Sequence, residues 1–245
     1  MKIGLFTLPL HYNLGGILQN YALQKFLENE GHEVWTINRR NKERNPFSIK
    51  LLSILKRVAI NVFFNKKEVI RVWQTSKENQ IIFGELNTFI VNNINLTKPI
   101  ESRKKLDLLK KDKFDAYIVG SDQVWRPKYS PNIIDFYLGF LSDTDTVKRI
   151  AYSASFGVKN WEYSKEETYQ CKDLAKKFSA ISVREDSAIN LVKDKFGIDA
   201  IHVLDPVLLL TKEEYLKLVV PQKKIIHKKG LFKYILDETK FKTNV

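Results

Sequence analysis

Lys2-Ile3-Gly4-Leu5-Phe6-Thr7-Leu8, followed by His11-Tyr12-Asn13-Leu14-Gly15-Gly16 and the segment from Ile17 to Ile37, decides the fold class of this chain. The opening run is apolar and short, the pattern of a buried strand. A glycine-containing turn comes next, then a helix from about Ile17 to Glu30 in which Leu18, Tyr21, Ala22, Phe26 and Leu27 recur at helical spacing. Gly31 is a ready stop for that helix, and Glu33 to Ile37 reads as a second strand. Strand, glycine-rich turn, helix and strand in this order form a parallel α/β unit with Rossmann-like organisation.

The same rhythm resumes after Lys113. Strands are expected at Asp115–Val119, Arg149–Ser153, Ala180–Val183 and Ile201–Leu204, with helices near Ser164–Phe178 and from Arg184-Glu185-Asp186 to Phe196, closed by Gly197. About six strands therefore alternate with helices, an α/β fold with a Rossmann-like parallel sheet. Residues 39–113 interrupt it as a lysine- and asparagine-rich helical insertion, with an apolar stripe at Leu51, Ile54, Leu55, Val58 and Val62. Lys50, Lys56 and Arg57 lie largely off that stripe, so the helix is basic and amphipathic. Two readings stay open for it, a cap on the sheet edge or a contact with an anionic membrane surface.

The chain has 245 residues, 44% of them hydrophobic and 12% aromatic, enough apolar material to exclude whole-chain disorder. One cysteine, Cys171, and four scattered histidines exclude a disulfide framework and a Cys/His zinc cluster, and no metal is expected. A reducing cytoplasm fits this usage, with membrane association as an addition. The N-terminus is a poor signal peptide, and no apolar run approaches the roughly 20 residues that span a bilayer. The formal charge of +13 is uneven: Arg39 to Lys77 holds eleven basic residues against Glu43 and Glu68, and Lys212 to Val245 holds nine against four. The near-neutral remainder carries the best-patterned strands and turns and no zinc-finger spacing or RNA-binding aromatic motif, so no nucleic-acid partner is expected.

In an open parallel sheet, ligands bind beyond the carboxyl ends of the strands, and four polar turns fall there. In the first, Gly15 and Gly16 let backbone N–H groups approach an anion or form a tight turn, and Asn13 holds the turn or faces the ligand. His11, in the same turn, is an acid/base candidate. The second, Gly120-Ser121-Asp122-Gln123-Val124-Trp125, puts a carboxylate, a hydroxyl and an amide directly after a buried strand, although Asp122 also suits a helix cap and Trp125 suits the core. Arg126 is a planar fork for phosphate or carboxylate. In the third turn Ser153 leads Ser153-Ala154-Ser155-Phe156-Gly157. In the fourth, Arg184 sits where a helix N-terminus disfavours a cation, which calls for an anionic neighbour, either Asp205 or a ligand; Glu185 and Asp186 suit the helix start, and His202 reads as a packed strand histidine.

Taken together, Asn13 with Gly15-Gly16 and Leu18-Gln19-Asn20-Tyr21-Ala22-Leu23-Gln24, then Gly120-Ser121-Asp122-Gln123-Val124-Trp125, Ala151-Tyr152-Ser153-Ala154-Ser155-Phe156-Gly157, Ser182-Val183-Arg184-Glu185 and Leu204-Asp205-Pro206 resemble the polysaccharide pyruvyl transferase family over about residues 1–210. The resemblance implies the first lobe of a GT-B-like two-lobed fold. It also implies transfer of a pyruvyl group from phosphoenolpyruvate to two hydroxyls of a saccharide, free or lipid-linked, with no cofactor beyond that donor. Asp122 and His11 are then the expected catalytic residues, and Asn13, Gly15, Gly16, Gly120, Ser121, Gln123, Arg126, Ser153 and Arg184 the expected substrate-binding ones.

The domain expectation is a Rossmann-like lobe at 1–211 and a basic tail at 212–245, in which only Phe232 to Leu236 looks like a strand. Family members are usually long enough for a second lobe, to which much of the donor-binding chemistry is attributed. The chain is therefore expected to be a truncated member, weak or inactive alone unless a partner chain completes it. The alternatives are a GT-B-like glycosyltransferase using a nucleotide sugar and a non-catalytic module that pairs with another chain or a membrane.

Overall fold

Strand β1 (Lys2–Phe6) lies inside the sheet, paired in parallel with β2 (Glu33–Thr36) on one side and β3 (Ala116–Val119) on the other. Beyond β3 come β4 (Lys148–Ala154), β5 (Ala180–Val183) and β6 (Ile201–His202), giving a six-stranded, all-parallel sheet in the order β2-β1-β3-β4-β5-β6. The computed structural model describes residues 1–10, 13–40, 46–64 and 76–219. The architecture is Rossmann-like, as expected of a GT-B-like lobe. The last strand is shorter than its pattern suggests: it ends at His202, with one further bond to β5 from Val203 N–H to Val183 C=O at 3.0 Å.

The strand order reverses at β1, and this sets the layers. Helix α1 (Leu14–Asn29) carries the chain outward from β1 to β2, whereas the later crossovers run the other way. Right-handed crossovers in opposite directions must put their helices on opposite faces. Accordingly, Leu23 and Leu27 of α1 pack on Ile3, Leu5, Val34, Ala116 and Ile118. The other face receives Cys171 and Ala175 of α5 and Val192 and Phe196 of α6, helices whose ranges, in order with the rest, are α2 (Pro46–Phe64), α3 (Ser76–Asn93), α4 (Arg103–Asp107), α5 (Lys165–Ala175) and α6 (Asp186–Phe196). That second face is aromatic: Trp125, fully buried, stacks on Tyr137 at 4.9 Å between centroids, and Phe6 stacks on Phe140 at 5.4 Å.

The described residues of the insertion are largely helical, and its edge contact comes from the segment after its long helices. After α3 the chain returns beside β2: Thr36 N–H donates to Asn95 C=O at 2.7 Å, Thr97 N–H to Thr36 C=O at 3.0 Å and Arg40 N–H to Ile100 C=O at 2.9 Å. This covers the outer edge of β2. Along the apolar stripe of α2, Leu51, Leu55 and Val58 are exposed and Ile54 is half-buried; the Val62 side chain lies outside the described ones. A buried ionic joint ties the insertion to the 3-10 turn Ile133–Tyr137 between β3 and β4. Asp135 has no exposed surface and accepts from Arg39 Nε and Arg103 Nη1, each at 2.8 Å.

By compactness the chain divides into Met1–Leu210 and Thr211–Val245. In the second unit the described residues form α7 (Lys212–Leu216), opened by a capping box in which Glu214 N–H donates to Thr211 Oγ1 at 3.3 Å and Thr211 N–H to Glu214 Oε2 at 2.7 Å. The strand expected at Phe232–Leu236 lies outside the described residues.

Candidate functional site

The order reverses between β1 and β3, and in open parallel sheets the crevice that takes ligands lies at such a point, flanked by the loops that leave the carboxyl ends of both strands. The β1 loop leads to the first turn of α1. The helix begins at Leu14, so Gly15 and Gly16 are helical residues rather than the turn expected from the sequence, and neither has a positive φ. Their role is space. A Cβ on Gly16 would stand 3.2 Å from Asp122 Oδ2 and 3.4 Å from Asn13 Nδ2, so the absence of a side chain is what lets these two groups converge over the helix start. Asn13 is the N-cap residue, but its side chain makes no capping hydrogen bond.

From the other side of the crevice, the turn after β3 delivers Asp122. It does not cap a helix; its Oδ1 accepts from Gln123 N–H at 2.8 Å while its backbone sits in the left-handed region at φ 67°. Its carbonyl accepts from Ser155 N–H at 3.1 Å, and Ser155 C=O accepts from Trp125 N–H at 3.1 Å, which fastens this turn to the one after β4. Trp125 is a core residue, as its type suggested. Gly120 has φ 139°, and a Cβ there would collide with the Tyr152 backbone oxygen, so only glycine fits.

Ser153 interrupts β4. Its φ is 51°, and the register with β5 shifts between Ala151 and Ala154, the signature of a bulge, a device that re-aims side chains beside functional sites. Ser121 and Ser153 are buried, yet their hydroxyls have no hydrogen-bond partner among the described residues. Buried hydroxyls are rarely left so, and a pair at the carboxyl edge fits groups waiting for a ligand or water.

Farther along the edge, Arg184 follows β5. Its Nε donates to Glu185 Oε1 at 3.2 Å, Nη2 to Ser155 Oγ at 3.3 Å and Nη1 to Asp205 Oδ2 at 3.4 Å. Ser155 in turn donates to Glu185 Oε1 at 2.6 Å. Asp205, just past β6, also accepts from Gln19 Nε2 on α1 and from Val207 N–H at 3.1 Å. The loop after the last strand thus reaches back to the first helix and closes the edge into a continuous polar rim. The anionic neighbour that Arg184 called for is Asp205, together with Glu185.

The expected residues therefore separate. Asn13, Gly16 and Asp122 gather at the crevice; Gln123 gives its backbone N–H to Asp122 while its side chain packs over Gly157 and accepts from Arg126, and Arg184 stands in the adjoining network. Arg126 is engaged elsewhere: Nε and Nη2 fork onto Glu162 at 2.8 and 3.0 Å and Nη1 donates to Gln123 Oε1 at 3.1 Å, which raises the guanidinium pKa and lowers that of the Glu162 carboxyl. His11 lies outside the described residues. His202 is not packed but half-exposed, with Nε2 2.9 Å from Arg184 C=O and Nδ1 2.8 Å from Asp186 Oδ1. The network adds Gln19, Ser155, Glu185 and Asp205 as site residues; each stands in a motif quoted above, but their meeting depends on contacts as distant in sequence as residues 19 and 205.

Comparison with curated proteins and with solved structures yields no significant match to either. A family model described as polysaccharide pyruvyl transferase matches residues 13–244, taking in every turn of this edge and continuing well past residue 210. The chain belongs to the polysaccharide pyruvyl transferase family.

Proposed function

We propose that the chain transfers the pyruvyl group of phosphoenolpyruvate to a pair of saccharide hydroxyls, forming a ketal during cell-surface polysaccharide synthesis in the cytoplasm, and that the edge described above receives the saccharide. The charge balance of that edge carries the reading. Asp122, Glu185 and Asp205 are carboxylates, while its two arginines are engaged, Arg126 by Glu162 and Arg184 by Ser155, Glu185 and Asp205. Such a set repels a multiply anionic donor but suits a neutral polyol, whose hydroxyls donate to carboxylates and exchange bonds with the amide of Asn13.

In the proposed reaction Asp122 Oδ2 accepts the proton of one acceptor hydroxyl as its oxygen bonds to C2 of phosphoenolpyruvate. C3 gains a proton and becomes a methyl group, and sequence position puts forward His11 as its source. The second hydroxyl oxygen then bonds to C2, the bond from C2 to the phosphate oxygen breaks, and that hydroxyl's proton leaves with inorganic phosphate. Turnover by the chain alone is expected to be slow, because the donor's phosphate and carboxylate need cations that this edge does not hold in excess.

The test is incubation of the full chain with phosphoenolpyruvate carrying carbon-13 at C3 and with methyl glycosides that have an unsubstituted hydroxyl pair. The expected result is a labelled methyl signal on the sugar, one phosphate released per ketal, and loss of both with Asp122→Asn. Consumption of a nucleotide sugar without ketal formation would support the glycosyltransferase reading instead.

A further inference from the structure

Helix α2 presents an apolar face outward. Leu51, Leu52, Leu55 and Val58 keep 48%, 67%, 58% and 38% of their surface exposed, and Ala59 is exposed beside them. At about 100° per residue these five fall within a sector of about 120°. The opposite side, Ile54, Arg57, Ile60 and Asn61, is half-buried, so the most apolar sector is the more exposed one. A cluster of large aliphatic side chains facing water marks a surface meant to be covered.

Charge selects what covers it. Lys56 is exposed about 40° beyond Leu52 on the helix wheel, and Lys42 and Arg44 precede the helix in sequence as Lys66 and Lys67 follow it. Leaving aside Arg39, which is buried against Asp135, the segment from Arg40 to Lys77 has eight more basic than acidic residues. A second copy would bring the same excess of positive charge to the contact and be repelled; an anionic lipid surface supplies both the apolar layer and the opposite charge. None of the described helices is long and apolar enough to cross a membrane. A 19-residue helix, about 28 Å long, with an apolar sector bordered by lysine is instead the form that lies in the interfacial plane.

We infer that α2 docks the protein peripherally on an anionic membrane surface through Leu51, Leu52, Leu55 and Val58, with Lys56 on the lipid headgroups. This inference goes beyond the reaction proposed above and does not depend on it.

The test is co-sedimentation of the full chain with phosphatidylglycerol-containing vesicles and with pure phosphatidylcholine vesicles. Binding is expected to the anionic vesicles at low salt, falling steeply at high salt. The double variant Leu51→Gln/Leu55→Gln is expected to bind at least about tenfold more weakly with an unchanged melting temperature, since both side chains are exposed. Lys56→Gln is expected to weaken binding about fivefold. No binding to anionic vesicles at low salt, equal binding to both vesicle types, or wild-type binding by the leucine variant would each overturn the inference. So would a stable dimer in solution that the leucine variant dissolves, which would assign the face to a second copy.

Discussion

Asp122 Oδ2 stands 3.2 Å from where a Cβ on Gly16 would be, so a side chain there would press the carboxylate by a few tenths of an ångström. Gly16→Ala separates packing from function. Alanine favours a helix over glycine by about 1 kcal/mol, which offsets a shift of a few tenths of an ångström in the carboxylate. The variant is expected to melt within a few degrees of the wild type while ketal formation falls at least about tenfold, through the misplaced carboxylate. A large loss of melting temperature would instead make Gly16 a packing requirement alone.

At Gly120 the expectation is the opposite. Its φ of 139° is open essentially to glycine, and a side chain would strike the Tyr152 backbone oxygen, which has no rotamer with which to yield. Gly120→Ala is expected to destabilise the fold by about 3 kcal/mol or more, read as a lower midpoint in urea unfolding.

Asp135 joins Arg39 and Arg103 where the insertion meets the turn between β3 and β4, with no exposed surface of its own. Removing its charge leaves Arg39, itself buried, without its carboxylate. Asp135→Asn is expected to cost about 3 to 5 kcal/mol in chemical unfolding. Loss of less than about 1 kcal/mol would mean that Arg39 finds another partner.

Burial raises the pKa of the Cys171 thiol and of the Tyr117, Tyr137 and Tyr163 phenols. The folded state therefore favours their protonated forms. The stability they contribute is fully present below the ordinary thiol value of 9.0 and phenol value of 10.0 and is lost as the pH rises from there toward the folded values. Melting temperature is expected to decline above about pH 9. At neutral pH the Cys171 thiol is expected to react with a thiol reagent only after the protein is unfolded. Rapid native labelling would contradict its burial.

Much of this architecture was legible because it is written locally. The apolar runs of β1, β3 and β5 and the helical spacing of Leu18, Tyr21, Ala22, Phe26 and Leu27 specify a parallel α/β sheet without any long-range information. The misreadings have physical causes. A glycine pair resembles a turn, yet Gly15 and Gly16 are helical, and what they answer to is Asp122, a residue more than a hundred positions away. His202 lies in an apolar strand pattern, but β6 is the outermost strand and ends there, leaving the ring half-exposed. Arg126 had the chemistry of an anion site; Glu162, across an intervening segment, took its fork. The stripe of α2 leaves two readings open, because periodicity does not tell which way the apolar side is turned. The rim from Gln19 through Asp205 to Arg184 exists only once the last loop folds back over the first helix.

The central claim is that this edge holds the saccharide, with Asp122 at the attacking hydroxyl. Saturation-transfer NMR of the full chain with methyl glycosides tests it directly. Saturation is expected to reach the sugar ring protons, to fall with Asn13→Ala/Asp122→Ala, and to persist when phosphoenolpyruvate is added. Absence of transfer to every glycoside, or its complete displacement by phosphoenolpyruvate, would contradict the account.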